Sequence, residues 1–133
     1  MSRMSVVVGL VFIVTGLASG SGVSSEFQEF EERLAEAEEN LYSEGGAAFD
    51  KELSSYFKDS KSTLDALNTC MESNIPKSSL TGYVYFPPNG GYSLEVRPVG
   101  AFATCIRGAF SGREGPEPPR RPYVNQFGFN VSN

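Results

Sequence analysis

The positions of the prolines divide the chain into two parts that can form different secondary structure. All eight prolines of the 133 residues follow residue 75. Because proline lacks a backbone N–H and its ring clashes inside a helix, the proline-free part can form long helices. The later part is restricted to turns, short strands and brief helices. The sequence therefore predicts an α+β fold in which helices come first and a small antiparallel sheet follows.

The proline-free part carries three helical patterns. The first follows Ser25, with Gln28 as its capping partner, and ends at Gly45-Gly46; its apolar stripe consists of Phe27, Phe30, Leu34, Ala37 and Leu41. The second pattern ends at Asp59 and carries Phe49, Leu53, Tyr56 and Phe57. The third is capped by Ser62 with Asp65 and carries Leu64, Leu67 and Met71; the alternative is that the second and third patterns form one bent helix. The short glycine connection permits the first helix to fold back on the second as an antiparallel pair.

The later part has the pattern of strand, strand, helix and strand. Leu80–Phe86 and Tyr92–Pro98 alternate like the arms of a hairpin, with a Pro- and Gly-rich turn between them. A short helix is predicted over Ala101–Phe110, with an inner face of Phe102, Cys105, Ile106 and Phe110. The Pro-rich connection Ser111–Pro122 then leads to a final strand, Tyr123–Val131. The predicted architecture is a helical arm or hairpin followed by a β-β-α-β sheet with packing helices.

The amino terminus has the three parts of a secretory signal. Arg3 precedes the apolar run Val6–Ala18, and small residues follow it. We therefore predict a signal peptide over residues 1–22, with cleavage after Ala18, Gly20, Gly22 or Ser25. The alternative is an uncleaved anchor, although thirteen strongly apolar residues are short for a bilayer crossing of about 20. Cleavage implies a periplasmic or secreted protein without a membrane span after processing.

Charge is distributed unevenly along the rest of the chain. Residues 24–60 hold eleven acids and three bases, a net charge of −8, whereas residues 61–133 hold seven bases and five acids, a net charge of +2. We interpret residues 24–60 as an acidic helical arm, either a solvated helix face or an element that docks on a basic surface. The overall charge of −5 argues against a nucleic-acid partner.

The two cysteines, Cys70 and Cys105, have apolar neighbours and lie in predicted helices. In an exported protein such a pair is typical of a structural disulfide. A redox pair and a pair of metal ligands are the alternatives. The spacing lacks the C-x-x-C arrangement, and the chain holds no histidine and no further cysteine to complete a soft metal site.

Catalytic patterns are absent from the sequence. The lack of histidine excludes Ser-His and Cys-His nucleophile pairs. Glu32 and Glu36 share a solvated helix face, where carboxyl groups make poor acid catalysts. Gly90-Gly91 is not followed by a phosphate-loop pattern. We therefore expect no enzyme activity, no metal site and no cofactor.

The order of elements from residue 61 to residue 133 resembles the carboxy-terminal domain of TonB-type energy transducers. It is most similar to the gliding-motility-associated AgmX/PglI-like branch in the stretches around Cys70-Met71, Ile75-Pro76 and Leu80-Thr81-Gly82, in the turn Pro87-Pro88-Asn89-Gly90, in Phe102–Ile106, and in Phe127-Gly128-Phe129. The resemblance implies a TonB-C-like periplasmic domain. The long Pro-rich linker of the transducers is missing, and Gly112–Pro116 replaces the family's aromatic-x-Phe-Pro stretch.

These features together predict a non-enzymatic, exported protein-interaction or adaptor module in the cell envelope. The free edge of the last strand is the expected partner site, by strand addition. Its candidate binding residues are Tyr123, Asn125, Phe127, Phe129, Arg120 and Arg121. The alternatives are a membrane-anchored energy transducer of the TonB type and a secreted inhibitor or toxin-like protein. The sequence leaves the oligomeric state open.

Overall fold

The computed structural model describes residues 21–110 and 114–132, with side chains from residue 25 onward. Most of the predicted signal peptide, residues 1–22, lies outside the described residues, as does part of the Pro-rich connection. The chain divides into two compact units, Met1–Glu32 and Arg33–Asn133. Of the first unit, the structure describes a helical segment that begins at Ser21, in which Phe27 is exposed and Phe30 is buried.

The described residues form four helices and three strands. In chain order they are α1 (Ser21–Leu41), α2 (Gly46–Asp59), α3 (Lys61–Glu72), β1 (Leu80–Phe86), β2 (Ser93–Arg97), α4 (Ala101–Phe110) and β3 (Tyr123–Phe129). This order confirms the predicted α+β class and the β-β-α-β arrangement. The bounds of β1 and α4 agree with the prediction, and β3 ends two residues earlier than predicted.

Two helix starts differ from the prediction. Ser25 lies inside α1 and does not cap it, since the helix already includes Ser21. The cap of α3 is Ser60, whose Oγ accepts a hydrogen bond from the Thr63 backbone N–H at 3.3 Å. Ser60 has the extended backbone that an N-cap requires (φ −82°, ψ 110°), whereas Ser62 already lies in the first turn.

The sheet is antiparallel, with β1 between β2 and β3. The register places Val84 opposite Leu94 on one side and opposite Asn125 on the other. Because side chains alternate along a strand, one face of the sheet carries an apolar set that packs in the core. This set consists of Leu80, Val84, Phe86, Leu94, Val96, Tyr123, Phe127 and Phe129. On the opposite face, the guanidinium of Arg33 lies 4.1 Å from the centre of the Tyr85 ring.

The core on the apolar face is largely aromatic, and α2 contributes its central residue. The Phe57 ring contacts the rings of Phe110 and Tyr92, with centroids 5.0 Å and 6.0 Å away. One end of α2 is fixed in the same way, because Phe49 meets Phe86 edge to face at 5.3 Å. Edge-to-face aromatic pairs are worth about 0.5–1.5 kcal/mol beyond the area they bury. The second helix is therefore part of the same hydrophobic core as the sheet.

The predicted disulfide is present and joins α3 to α4. Cys70 and Cys105 are bonded, with their Cα atoms 5.9 Å apart and 35 positions apart in sequence. Neither cysteine is free. Closing a ring of this length in the unfolded chain is worth up to about 3.8 kcal/mol in the loop-entropy description. Because β1 and β2 lie within the ring, the bond fixes both helices against the hairpin between them.

The turn between α1 and α2 depends on glycine. Gly45 has φ +81°, and a Cβ on Gly46 would lie 1.8 Å from the carbonyl oxygen of Asn40. This close approach holds the last turn of α1 against the first turn of α2. The predicted packing of the first helix on the second as an antiparallel pair is not observed. Leu34 and Leu41 are only half-buried, and α1 is joined to β3 through Asn40.

Candidate functional site

The last strand, β3, is an edge strand, as predicted. It pairs with β1 along its whole length, and no strand in the described part of the chain pairs with its other side. Outward-facing backbone groups alternate along such a strand. The Val124 carbonyl accepts a hydrogen bond from Asn40 Nδ2 at 2.9 Å, which indicates that Val124, Gln126 and Gly128 direct their backbone groups to the free edge.

Side chains already occupy the first half of that edge. Asn40 Nδ2 donates a hydrogen bond to the Val124 carbonyl, and Asn125 Nδ2 donates one to the Gln126 carbonyl at 3.0 Å. No hydrogen bond from the described residues reaches the outer side of Gly128. Gly128 therefore keeps both of its outward backbone groups open, and Gln126 keeps its N–H.

Three of the six predicted binding residues make contacts within the chain and lie outside the lining of the groove described below. Tyr123 is fully buried, with its ring 5.5 Å from Phe49, and burial raises the pKa of its phenol above the ordinary value. Arg120 donates to Asn40 Oδ1 at 2.7 Å. Arg121 donates to Glu117 Oε2 at 2.8 Å and to the Pro87 carbonyl at 2.8 Å. Its hydrogen bond to Glu117 also lowers the pKa of that carboxyl group.

The other three, Asn125, Phe127 and Phe129, lie together at the edge of an open groove. Asn125 is buried and donates from Nδ2 to Asp50 Oδ1 at 2.9 Å. Phe127 and Phe129 are half-buried, and the Phe127 ring contacts Phe110 at 5.2 Å. The assignment of the six residues to partner binding stays a prediction, and the structure gathers only these three along one groove.

The groove has a volume of about 830 Å³ and runs beside β3. The end of α1, one side of α2 and the first turns of α3 form its walls, and β3 forms the remaining side. Apolar side chains line much of it: Leu34, Leu41, Leu53, Phe57, Leu64, Leu67, Phe110, Phe127 and Phe129. A groove of this kind has the size and lining of a site for an extended chain or a small apolar ligand.

The groove has a direction, because α2 and β3 run the same way along it. Phe49, near the start of α2, contacts Tyr123 at the start of β3. Phe57, near the end of α2, contacts Phe127 further along the strand at 6.4 Å. Asp50 therefore lies at one end of the groove and Lys58 at the other.

Comparisons with known proteins give no relative: no family model, no curated protein and no solved structure matches the chain. Within the described residues, none of the helices is long and apolar enough to cross a membrane. The same residues contain no group of three or more Cys, Asp or Glu side chains placed to hold a metal ion.

Sequence reasoning placed Leu34, Leu41, Leu53 and Phe57 on apolar helix stripes but did not assign any residue of α1 or α2 to a binding site. Asp50, Leu53, Ser54, Phe57 and Lys58 recur at the helical spacing of three and four, so they form one stripe of α2. The apolar residues of this stripe indicated a buried helix face. Its charged residues, Asp50 and Lys58, were the signal in the sequence that the same face also borders an open site. Asn40 was identifiable in a similar way, since it follows Ala37 by three positions and is a polar residue beside the apolar stripe.

Proposed function

We propose that this protein is an exported, disulfide-stabilised interaction module that holds an extended segment of an envelope protein in the groove beside β3. The observation that carries the proposal is the position of an open strand edge along an apolar groove. Strand addition supplies backbone hydrogen bonds, and a neighbouring groove supplies side-chain selectivity. The function proposed is binding, without catalysis.

The site proposed for the partner is narrower than the whole last strand. Its backbone component consists of the Gln126 N–H and the two backbone groups of Gly128, because the side chains of Asn40 and Asn125 already donate to the outward carbonyls of Val124 and Gln126. Its side-chain component is the groove lining, with Phe127 and Phe129 at the boundary between the two. Asn125 contributes by holding Asp50 in position.

The exported location rests on the sequence pattern of the leader and on the disulfide, which persists in oxidising compartments. We further propose that the domain is TonB-C-like, on the resemblance from residue 61 onward. The amino-terminal residue of the mature protein tests the location. Isolation from the envelope with a start between Ser19 and Glu26 supports export with cleavage. A retained leader contradicts it and favours the anchored transducer.

Site-specific photo-crosslinking tests the binding function. A benzoylphenylalanine at Gln126 should give a discrete adduct with one envelope protein in the cells that make this chain. The matched control is the same probe at Ser93, which is exposed on β2 at the opposite edge of the sheet. Equal labelling from both positions, or none from Gln126, would contradict the proposed site.

The role of the backbone edge can be separated from that of the side chains. Gly128→Pro removes an N–H that we place at the outer edge, where proline is tolerated in sheets. A Cβ at Gly128 meets no atom within 4 Å, so Gly128→Ala is a matched variant that retains the N–H. We expect the adduct at Gln126 to be lost in the proline variant and kept in the alanine variant.

A further inference from the structure

The groove beside β3 holds polar groups whose hydrogen-bonding or ion-pairing capacity is unused within the part of the chain that the structure describes. Asp50 accepts from Asn125 through Oδ1, while its second oxygen accepts nothing from the described residues. Lys58 is exposed and forms no ion pair with any acid that the structure describes. Thr63 is 2% exposed, and its hydroxyl has no hydrogen-bond partner in the described ranges.

The spacing of the two charges matches the repeat of an extended chain. Asp50 and Lys58 are eight positions apart on α2, and a rise of 1.5 Å per residue separates them by about 12 Å. A strand advances about 3.4 Å per residue, so four residues of strand cover about the same distance. Residues four apart in a strand also point to the same side. A single extended segment can therefore present one side chain to each charge.

The middle of the groove is largely apolar, although the exposed Ser54 also lies on α2 between the two charges. Leu53 and Phe57 lie on α2 between the two charged positions, and both are buried. A strand residue midway between two residues four apart faces the same way as both of them. The complementary segment therefore has an apolar residue at its centre, where it covers Phe57.

We propose that the groove selects an extended segment with an acidic residue at one position, an apolar residue two positions later and a basic residue four positions later. This inference rests on the proposed binding function and specifies the partner's chemistry. The basic residue pairs with Asp50, and the acidic residue pairs with Lys58.

The order of the charges follows from the direction of β3. The strand runs from the Asp50 end of the groove to the Lys58 end, and antiparallel pairing is the slightly more stable arrangement. An antiparallel segment enters at Lys58 and leaves at Asp50. The acidic residue therefore precedes the basic one.

Two peptides of identical composition test the order. One is acetyl-Ser-Gly-Glu-Thr-Val-Thr-Lys-Gly-Ser-amide, and the other has the Glu and Lys exchanged. Titration of each into the oxidised, isotope-labelled protein, followed by the amide shifts of Gln126, Gly128 and Phe129, gives both dissociation constants. We expect the first peptide to bind about tenfold more tightly, because two attractive pairs replace two repulsive ones.

Variants of the protein assign the preference to the two charges. Lys58→Glu, at an exposed position, should remove most of the preference, and combining it with Asp50→Lys should reverse it. Lys51→Glu, at an exposed residue of α2 outside the groove lining, is the matched control and should leave the preference unchanged. Because Asp50→Lys also breaks the bond to Asn125, the Lys58→Glu result decides the matter if the double variant does not fold.

Each other outcome overturns the inference. Equal binding of the two peptides would contradict charge selection, and tighter binding of the exchanged peptide would contradict the antiparallel order. If neither peptide bound while Gln126 still formed its adduct, the selectivity would be wrong and the binding function would stand. If neither peptide bound and Gln126 formed no adduct, the proposed binding function would be contradicted as well.

Discussion

Asn40 donates a hydrogen bond from Nδ2 to the carbonyl oxygen of Val124, 84 residues later in the chain. The same side chain accepts from Arg120 through Oδ1, so both ends of the amide are used. One buried residue at the end of α1 thereby satisfies part of a sheet edge and orders the residues that lead into β3. The two bonds connect an early helix to the last strand.

We predict that Asn40→Leu lowers the free energy of unfolding by about 1–3 kcal/mol. The substitution leaves the buried Val124 carbonyl without a donor, and an unsatisfied buried group costs about that amount. Urea denaturation followed by far-ultraviolet circular dichroism measures the change. Asn68→Leu, at an exposed position of α3, is the control and should shift stability by less than about 0.5 kcal/mol.

The disulfide prediction concerns both the thiols and stability. Thiol labelling of the unfolded, unreduced protein should find no free cysteine, because Cys70 and Cys105 are bonded to each other. Reduction should lower the free energy of unfolding by up to about 3.8 kcal/mol, the entropy of the closed ring. Two labelled thiols per chain, or an unchanged melting temperature after reduction, would contradict it.

Two strand glycines should differ in how much stability they lose on substitution by alanine. A Cβ at Gly82 would lie 1.8 Å from the Glu95 carbonyl oxygen, so the backbone of β1 or β2 has to move. We predict a loss of more than about 2 kcal/mol for Gly82→Ala, within the range for strained or overpacked sites. Gly128→Ala should leave stability within about 0.5 kcal/mol. Thermal melts of the two variants beside the parent protein make the comparison.

The groove predicts different effects for two leucines. Leu53 is 2% exposed, so Leu53→Ala should cost about 2–5 kcal/mol. Leu34 is half-buried at the groove wall, and Leu34→Ala should cost about 1 kcal/mol or less while weakening binding of the acidic-first peptide. Equal losses of stability would indicate instead that Leu34 is a core residue, as the fold-back of the first helix on the second implied.

Alkaline pH should destabilise the protein through Tyr123. Burial raises the pKa of this phenol above 10.0, so the unfolded chain loses the proton first. The associated stability is fully present below about pH 10 and is lost as the pH rises through the folded-state pKa. Tyr123→Phe should narrow the difference in melting temperature between pH 8 and pH 10.5. Tyr42→Phe, at an exposed residue, should leave that difference unchanged.

The elements were predictable because their signals are local. The apolar spacing in α2, the alternation in β1 and the turn glycines Gly90 and Gly91, both with positive φ, depend on residues close together in sequence. The groove was not predictable in this way. It depends on the placement of α1, which Asn40 joins by a hydrogen bond to a strand more than 80 positions away. The charges of Asp50 and Lys58 could be related to the order of charges in a partner only once the direction of β3 was known.

The covalent ring closed by Cys70 and Cys105 contains β1 and β2 but not β3. In a chain that emerges amino terminus first, both cysteines and the hairpin appear before Tyr123. If oxidation occurred at that stage, the closed ring would hold a central strand, β1, with one partner and one unpaired edge. That edge would be open to a strand from another molecule until the seven-residue β3 was paired with it.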